Sequence, residues 1–169
     1  MARLENYSEE ERNHFLALPC PTFTNTPFVG GPTLAQRKVA VISTAGLHLR
    51  SERPFGLGAT DYRLISKETS SSDLVMSHIS TNFDRTGFQM DFNLIFPLER
   101  LAELVEEGFI GSLADYHYSF MGASDPAQMK DTAINIAEIM KKEGVNAVLL
   151  VPGWAITLKK QESPPHRSA

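Results

Sequence analysis

What the chain lacks sets the first limits. It has a single cysteine, Cys20, so no internal disulfide framework can form and a reducing compartment is the expected setting. No apolar run approaches the roughly 18 residues that cross a bilayer. The stretch from Met1 to Asn13 is charged and acidic rather than basic then apolar, which is not a secretory pattern, so a cytoplasmic location is expected. Lys and Arg number 16 against 20 Asp and Glu, for a net charge of −4, and no basic block occurs. Neither nucleic acid nor a membrane is therefore expected as a partner. There is no Gly-x-Gly-x-x-Gly and no P-loop, which leaves nucleotide binding without support. No two histidines have metal-ligand spacing, His14 and His166 read as surface residues, and no metal site is expected. Cys20, between two prolines, reads as a small apolar filler rather than a nucleophile.

What remains is an ordinary globular composition, 42% apolar and 21% charged over 169 residues, enough for one domain with a real core. Ser8 and Glu11 have capping-box spacing at the head of a short helix with Phe15, Leu16 and Leu18 on its apolar face. Pro19 to Pro32 reads as an extended loop anchored by Phe23 and Phe28. Lys38–Ser43 is apolar and β-branched on both faces, as a buried parallel strand is, and ends in the small-residue turn Thr44-Ala45-Gly46. Tyr62–Ile65 and Leu74–Ile79 are weaker strands. Pro97–Glu107 is a helix ended by Gly108, and Ile110–Ala114 is a short apolar segment. A second helix opens at Asp125-Pro126, carries Met129, Ala133, Ile136, Ala137 and Met140 on one face, and stops at Gly144. Val145–Val151 is the clearest strand, and it and Val39–Ser43 are expected to be central neighbours. Strand, connection, helix, strand is the grammar of an α/β fold with a parallel sheet in three layers, Rossmann-like and incomplete at its C-terminus. Residues 1–153 are expected to form that domain and 154–169 a disordered or frame-shifted tail, polar from Lys159 onward with Pro164-Pro165.

Ligands of such folds bind beyond the carboxyl ends of the strands. After the third strand comes Ser77-His78-Ile79-Ser80-Thr81-Asn82-Phe83-Asp84-Arg85, dense in groups that need partners if buried. His78 and Asp84 have the chemistry of a base and its orienter, and Asn82 adds a ligand-binding amide. In Asp115-Tyr116-His117-Tyr118, alternation along an extended segment turns Tyr116 and Tyr118 opposite to His117. Aromatic faces with a carboxylate there suit a small cationic amine, while packing in the core is the competing reading. Thr44-Ala45-Gly46-Leu47-His48 is a weaker signal. His78, Asp84 and His117 are expected to converge near Gly153.

The runs Ser77–Asp91, Phe96–Leu101, Glu107–Gly111 and Asp115–Gly122, followed by the helix and Ala147–Pro152, resemble the glycine/sarcosine/betaine and D-proline reductase selenoprotein B family, the D-proline-type branch more closely. The resemblance covers Phe15 to Gly153. It implies an oxidoreductase subunit that reductively cleaves a carbon–nitrogen bond of a small amine such as D-proline, glycine or betaine. Electrons come from a thiol donor, and partner reductase subunits take part, one of them with a pyruvoyl group that holds the amine. It also implies selenocysteine, or cysteine, soon after the Val-Pro that ends the last strand, where a helix N-terminus lowers the pKa of the nucleophile. His78 and His117 are the accompanying candidate catalytic residues, with Asn82, Asp84, Tyr116 and Tyr118 on the substrate.

This chain departs from the pattern: Pro152-Gly153 runs into Trp154, which has no nucleophile, so the chain as written is expected to be inactive. Selenocysteine is encoded by TGA. If the A of TGA is dropped before GGC, the reading becomes TGG and the frame shifts. The run Trp154 to Glu162 back-translates to codons that, with the base restored, read selenocysteine-Gly-Asn-His-Ala-Glu-Glu-Ala-Gly, a capped helix start. A genuine shortened paralogue is the competing reading. Two further functions stay open: a non-catalytic amine-binding or assembly subunit, and an acid/base racemase or hydrolase working through His78 and His117.

Overall fold

A computed structural model of the chain describes residues 5, 7–17, 29–80 and 85–153. The capping box forms as expected: the Ser8 amide and hydroxyl donate to Glu11 Oε2 at 3.1 and 2.7 Å, and the Glu11 amide donates back to Ser8 Oγ at 3.3 Å. It opens helix α1, Glu9–Ala17. The remaining elements are β1 (Lys38–Ser43), β2 (Leu47–Leu49), β3 (Tyr62–Ser66), β4 (Leu74–Met76), α2 (Thr86–Met90), α3 (Leu98–Glu106), β5 (Ser112–Leu113), β6 (Tyr116–Phe120), α4 (Lys130–Lys142) and β7 (Ala147–Val151). Cys20, the anchors Phe23 and Phe28, and His166 lie outside the described residues, as does the side chain of His14.

The β-branched run of β1 forms the axis of the main sheet. On one side it pairs in parallel with β5 and then β6, and on the other in parallel with β7, Val39 opposite Ala147 through Ser43 opposite Val151. β3 adds to the far side of β6, antiparallel. The sheet is thus mixed but mostly parallel. Alternation along β1 then divides the core. Val39 and Val41 join Leu101 of α3, Phe96 and Ile110 on one face; Ala40 joins Tyr118, Phe120, and Ile136 and Met140 of α4 on the other. A helix therefore covers each face, giving the expected α/β architecture in three layers.

Three expectations need correction. β7 is the parallel neighbour of β1 but lies at the sheet edge among the described residues, with Val148, Leu149 and Leu150 exposed. The segment Leu74–Ile79 is a strand only to Met76, and it pairs antiparallel with β2 in a separate two-stranded ladder. The reason is the Ser77–Ser80 stretch, whose polar groups bond to turns rather than to a neighbouring strand. Finally, Pro126–Met129 is a 3₁₀ turn capped by Asp125, whose carboxylate accepts the Ala127 amide at 2.9 Å, and α4 proper starts at Lys130.

Candidate active site

The parallel strands β1, β6 and β7 end together, and the turn after β1 is held from all sides. The Gly46 amide donates to Phe120 O at 2.8 Å, the Leu47 amide to Ser119 Oγ at 2.8 Å, and Gly46 O accepts the Ser77 amide at 2.9 Å. Thr44 ties the turn to the end of β7: its amide donates to Val151 O at 3.1 Å, and its Oγ1 accepts the Gly153 amide at 2.8 Å. The Pro152–Gly153 peptide is thus held by the hydroxyl of the residue that follows the central strand. Thr44 was visible in the sequence only as part of a tight turn; a hydroxyl at a strand end, one residue past an apolar run, was the available signal.

His78 arrives at this corner from the end of β4 and is 3% exposed. Gly46 and Gly122, with φ of +70° and +85°, make room for it. A Cβ on Gly46 would stand 2.8 Å from the His78 amide, and one on Gly122 would stand 3.1 Å from His78 Nε2 and collide with Thr44 O. His78 Nδ1 accepts the Ser80 amide at 3.2 Å, so the neutral ring carries its proton on Nε2, on the Gly122 and Thr44 side. Burial, then the nearby Arg85 guanidinium, lowers its pKa from 6.5 to about 4. Arg85 itself donates to His78 O at 2.6 Å. Around neutral pH this imidazole is a neutral donor at the mouth of three parallel strands. Asn82, Asp84 and Trp154 lie outside the described residues.

His117 is placed differently. It lies in β6 where the pairing of β1 passes from β5 to β6, and its Nδ1 accepts the Val41 amide at 3.0 Å, standing in for a strand carbonyl. Its ring is fully buried edge-on to Phe96, centroids 6.0 Å apart. Val41 precedes Thr44 by three residues, so this contact lies roughly 10 Å back along the strand from the turn. The sequence pattern cannot distinguish such a ladder-completing histidine from one at a strand end. Burial lowers its pKa from 6.5 to about 4.

The tyrosines do alternate against His117. Tyr118 is fully buried on the α4 side, edge-on to Tyr62 with centroids 5.7 Å apart, and burial, then the charge of Glu143, pushes its pKa up to about 12. Its ring leaves no open face for an amine. Tyr116 is half exposed at the start of β6, opposite Ser66. Asp115, the carboxylate beside them, pairs with Lys67 at 2.8 Å and Lys38 at 3.8 Å, which hold its pKa below the usual range. Among the described residues the structure builds one candidate site, around Thr44, Gly46, His78, Gly122 and Gly153, and buries His117 and Tyr118 on opposite faces of the sheet. Among the described residues no group of three or more His, Cys, Asp or Glu is placed to hold a metal ion, and no helix is long and apolar enough to cross a membrane.

The two buried histidines make stability depend on pH. Each has a folded pKa below its unfolded 6.5, so the unfolded chain binds protons first as pH falls. Stability is expected to be level above about pH 6.5 and to decline between there and about pH 4, by about 1.4 kcal/mol per pH unit for each histidine. His117→Asn, which keeps an acceptor near the Val41 amide without a titrating ring, is expected to remove about half of that decline. Urea unfolding at about pH 7 and about pH 4.5 checks this; an undiminished acid loss in the variant would show that His117 is not a titrating group.

The comparisons with known proteins agree with one another. Residues 27–153 match the family model described as glycine/sarcosine/betaine reductase selenoprotein B. The chain is 34% identical over 123 residues to the D-proline reductase subunit gamma of Acetoanaerobium sticklandii, covering 71% of this chain and 50% of that protein. It is 29% identical over 140 residues to the sarcosine reductase complex component B subunit beta of Peptoclostridium acidaminophilum, covering 78% of this chain and 32% of that one. It is 28% identical over 144 residues to the glycine reductase complex component B subunit gamma of Symbiobacterium thermophilum, covering 78% and 32%. The chain spans about half the length of the first of these relatives and about a third of the other two. No solved structure matches the chain. With its family match running through the strand-end corner to Gly153, the chain belongs to the glycine/sarcosine/betaine reductase selenoprotein B family.

Proposed function

We propose that the chain is a subunit of a reductase complex that cleaves a carbon–nitrogen bond of a small amine or amino acid, D-proline, glycine or betaine in type. In that reaction the C–N bond breaks, carbon and nitrogen each take a hydrogen, and a dithiol donor is oxidised to a disulfide. The observation that carries the reading is the Thr44–Gly153 hydrogen bond in a chain of this family. It ties Gly153 to Thr44 at the mouth of the parallel strands, and His78 packs against Gly46 and Gly122 in the same corner.

A selenolate or thiolate at position 154 would supply the nucleophile of this chemistry. The residues around it suit such a group. A neutral imidazole with its proton on Nε2 has the chemistry to donate to a leaving nitrogen, and Gly46 and Gly122 let the turns close tightly around its ring and hold it in place. Thr44 acts as a positioning residue on the Gly153 peptide. Asn82 and Asp84, four and six residues beyond His78, are proposed to contact the amine, which in the complex is held by a pyruvoyl group of a partner subunit. Tyr116 keeps exposed surface but stands at the start of β6, the opposite end of the strand from this corner.

The acid/base alternative through two histidines has less support, because His117 Nδ1 is committed to the Val41 amide inside the sheet. The test uses the complex assembled on a Trp154→Cys chain with the frame restored beyond it. There His78→Gln is expected to lower dithiol-dependent turnover by about 10²-fold, with KM for the amine little changed. Unchanged turnover would remove His78 from the reaction.

A further inference from the structure

The edge of the main sheet is open at β7. β7 is hydrogen-bonded to β1 and to no other strand among the described residues, so a row of its backbone groups faces outward. Its side chains are apolar and uncovered: Leu150 is 68% exposed, Val148 41% and Leu149 37%. Strands of a parallel sheet are normally buried on both faces, and this one carries the apolar sequence for it.

The handedness of the crossovers says which layer is missing. From β1 to β6 the chain moves one way across the sheet, and α3 packs on the Val39 and Val41 face. From β6 to β7 it moves back the other way past β1, and α4 packs on the Ala40 face. Opposite directions with opposite faces are what right-handed connections require. A connection moving outward from β7 continues in the second direction, so its helix falls on the α4 face. Val148 and Leu150 lie on that face, in register with Ala40 and Ile42. Two of the three uncovered side chains, including the most exposed, are where the rule puts the next helix; Leu149, in register with Val41, is on the α3 face.

We propose that β7 and the α4-side residues Val148 and Leu150 form a docking surface for a parallel strand and its crossover helix. They are supplied by the part of the family's polypeptide that lies outside this match, about half of the D-proline reductase subunit gamma. Residues 154–169 do not have the composition for this role. From Lys159 onward they are polar and include Pro164-Pro165, whereas a crossover of at least about 10 residues and an apolar strand are needed. A second copy is the other occupant to be distinguished, since two β7 edges related by a two-fold axis would pair antiparallel.

The experiment co-expresses the full 169-residue chain with the part of the A. sticklandii subunit gamma that lies outside the match. A 1:1 complex is expected, with hydrogen exchange at the β7 amides slowed by about tenfold or more relative to the chain alone. Leu150→Lys is expected to abolish the complex while leaving the melting temperature of the chain alone within a few degrees, because Leu150 packs little in that state. Where no complex forms, the same part is joined in frame after Gly153, and β7 amides that stay unprotected in that fusion overturn the proposal. So does a complex indifferent to Leu150→Lys, or a chain that is already a dimer with protected β7 amides. None of these readouts involves turnover, so they are independent of the reductase reading.

Discussion

Gly122→Ala is expected to leave little or no soluble folded protein. The residue follows β6 at φ +85°, a left-handed conformation that is strained for alanine by roughly 1–2 kcal/mol. Its Cβ would also collide with the carbonyl oxygen of Thr44 and stand 3.1 Å from His78 Nε2. The Thr44 oxygen is backbone at the end of the central strand, so relief requires separating β1 from the β6 exit, which would also disturb the Gly46–Phe120 bond. A total loss above about 3 kcal/mol is a large share of a domain's stability. Gly58 is the internal control, with φ +68° but no atom within 4 Å of an added Cβ, so Gly58→Ala should show the backbone strain alone. Urea unfolding of the two variants separates the terms, and equal stability would mean that the corner is not closely packed.

The second large effect is on chemistry. With tryptophan at position 154 the reconstituted complex is expected to show no dithiol-dependent loss of D-proline, glycine, sarcosine or betaine. The indole has one N–H donor and no titratable nucleophile. Cys20, the single thiol of the chain, stands between two prolines far away in sequence. Trp154→Cys with the frame restored beyond it is expected to gain turnover on one of these amines, and selenocysteine at that position to gain more. Equal turnover by the tryptophan form would mean that no chalcogen of this chain is the nucleophile.

Legibility in the sequence followed burial. β1, α3, α4 and β7 carry long apolar or amphipathic patterns, and all four were placed within a few residues. The β2–β4 ladder was missed as a pair, because three-residue strands such as Leu47–Leu49 leave too little alternation to read. An exposed edge at β7 follows from a parallel sheet incomplete at its C-terminus, although the strand's own sequence is that of a central one; which side chains stay uncovered is visible only in the structure. His78 was legible as a polar residue after a strand. His117 was legible as unusual but not as structural, since accepting the Val41 amide requires knowing that β1 passes from β5 to β6 at that point. Thr44 escaped as a site residue because its partner, Gly153, is more than a hundred residues away.

The central claim is that position 154 belongs to a chalcogen, held in place through Gly153. The most direct measurement is the nucleotide sequence across codons 152 to 156 in DNA and transcript from the source. The account predicts TGA followed by GGC at codons 154 and 155, with one base more than the present reading contains and a frame that then continues the family's sequence. An uninterrupted TGG codon followed in frame by the codons for Ala155 and Ile156 would contradict it.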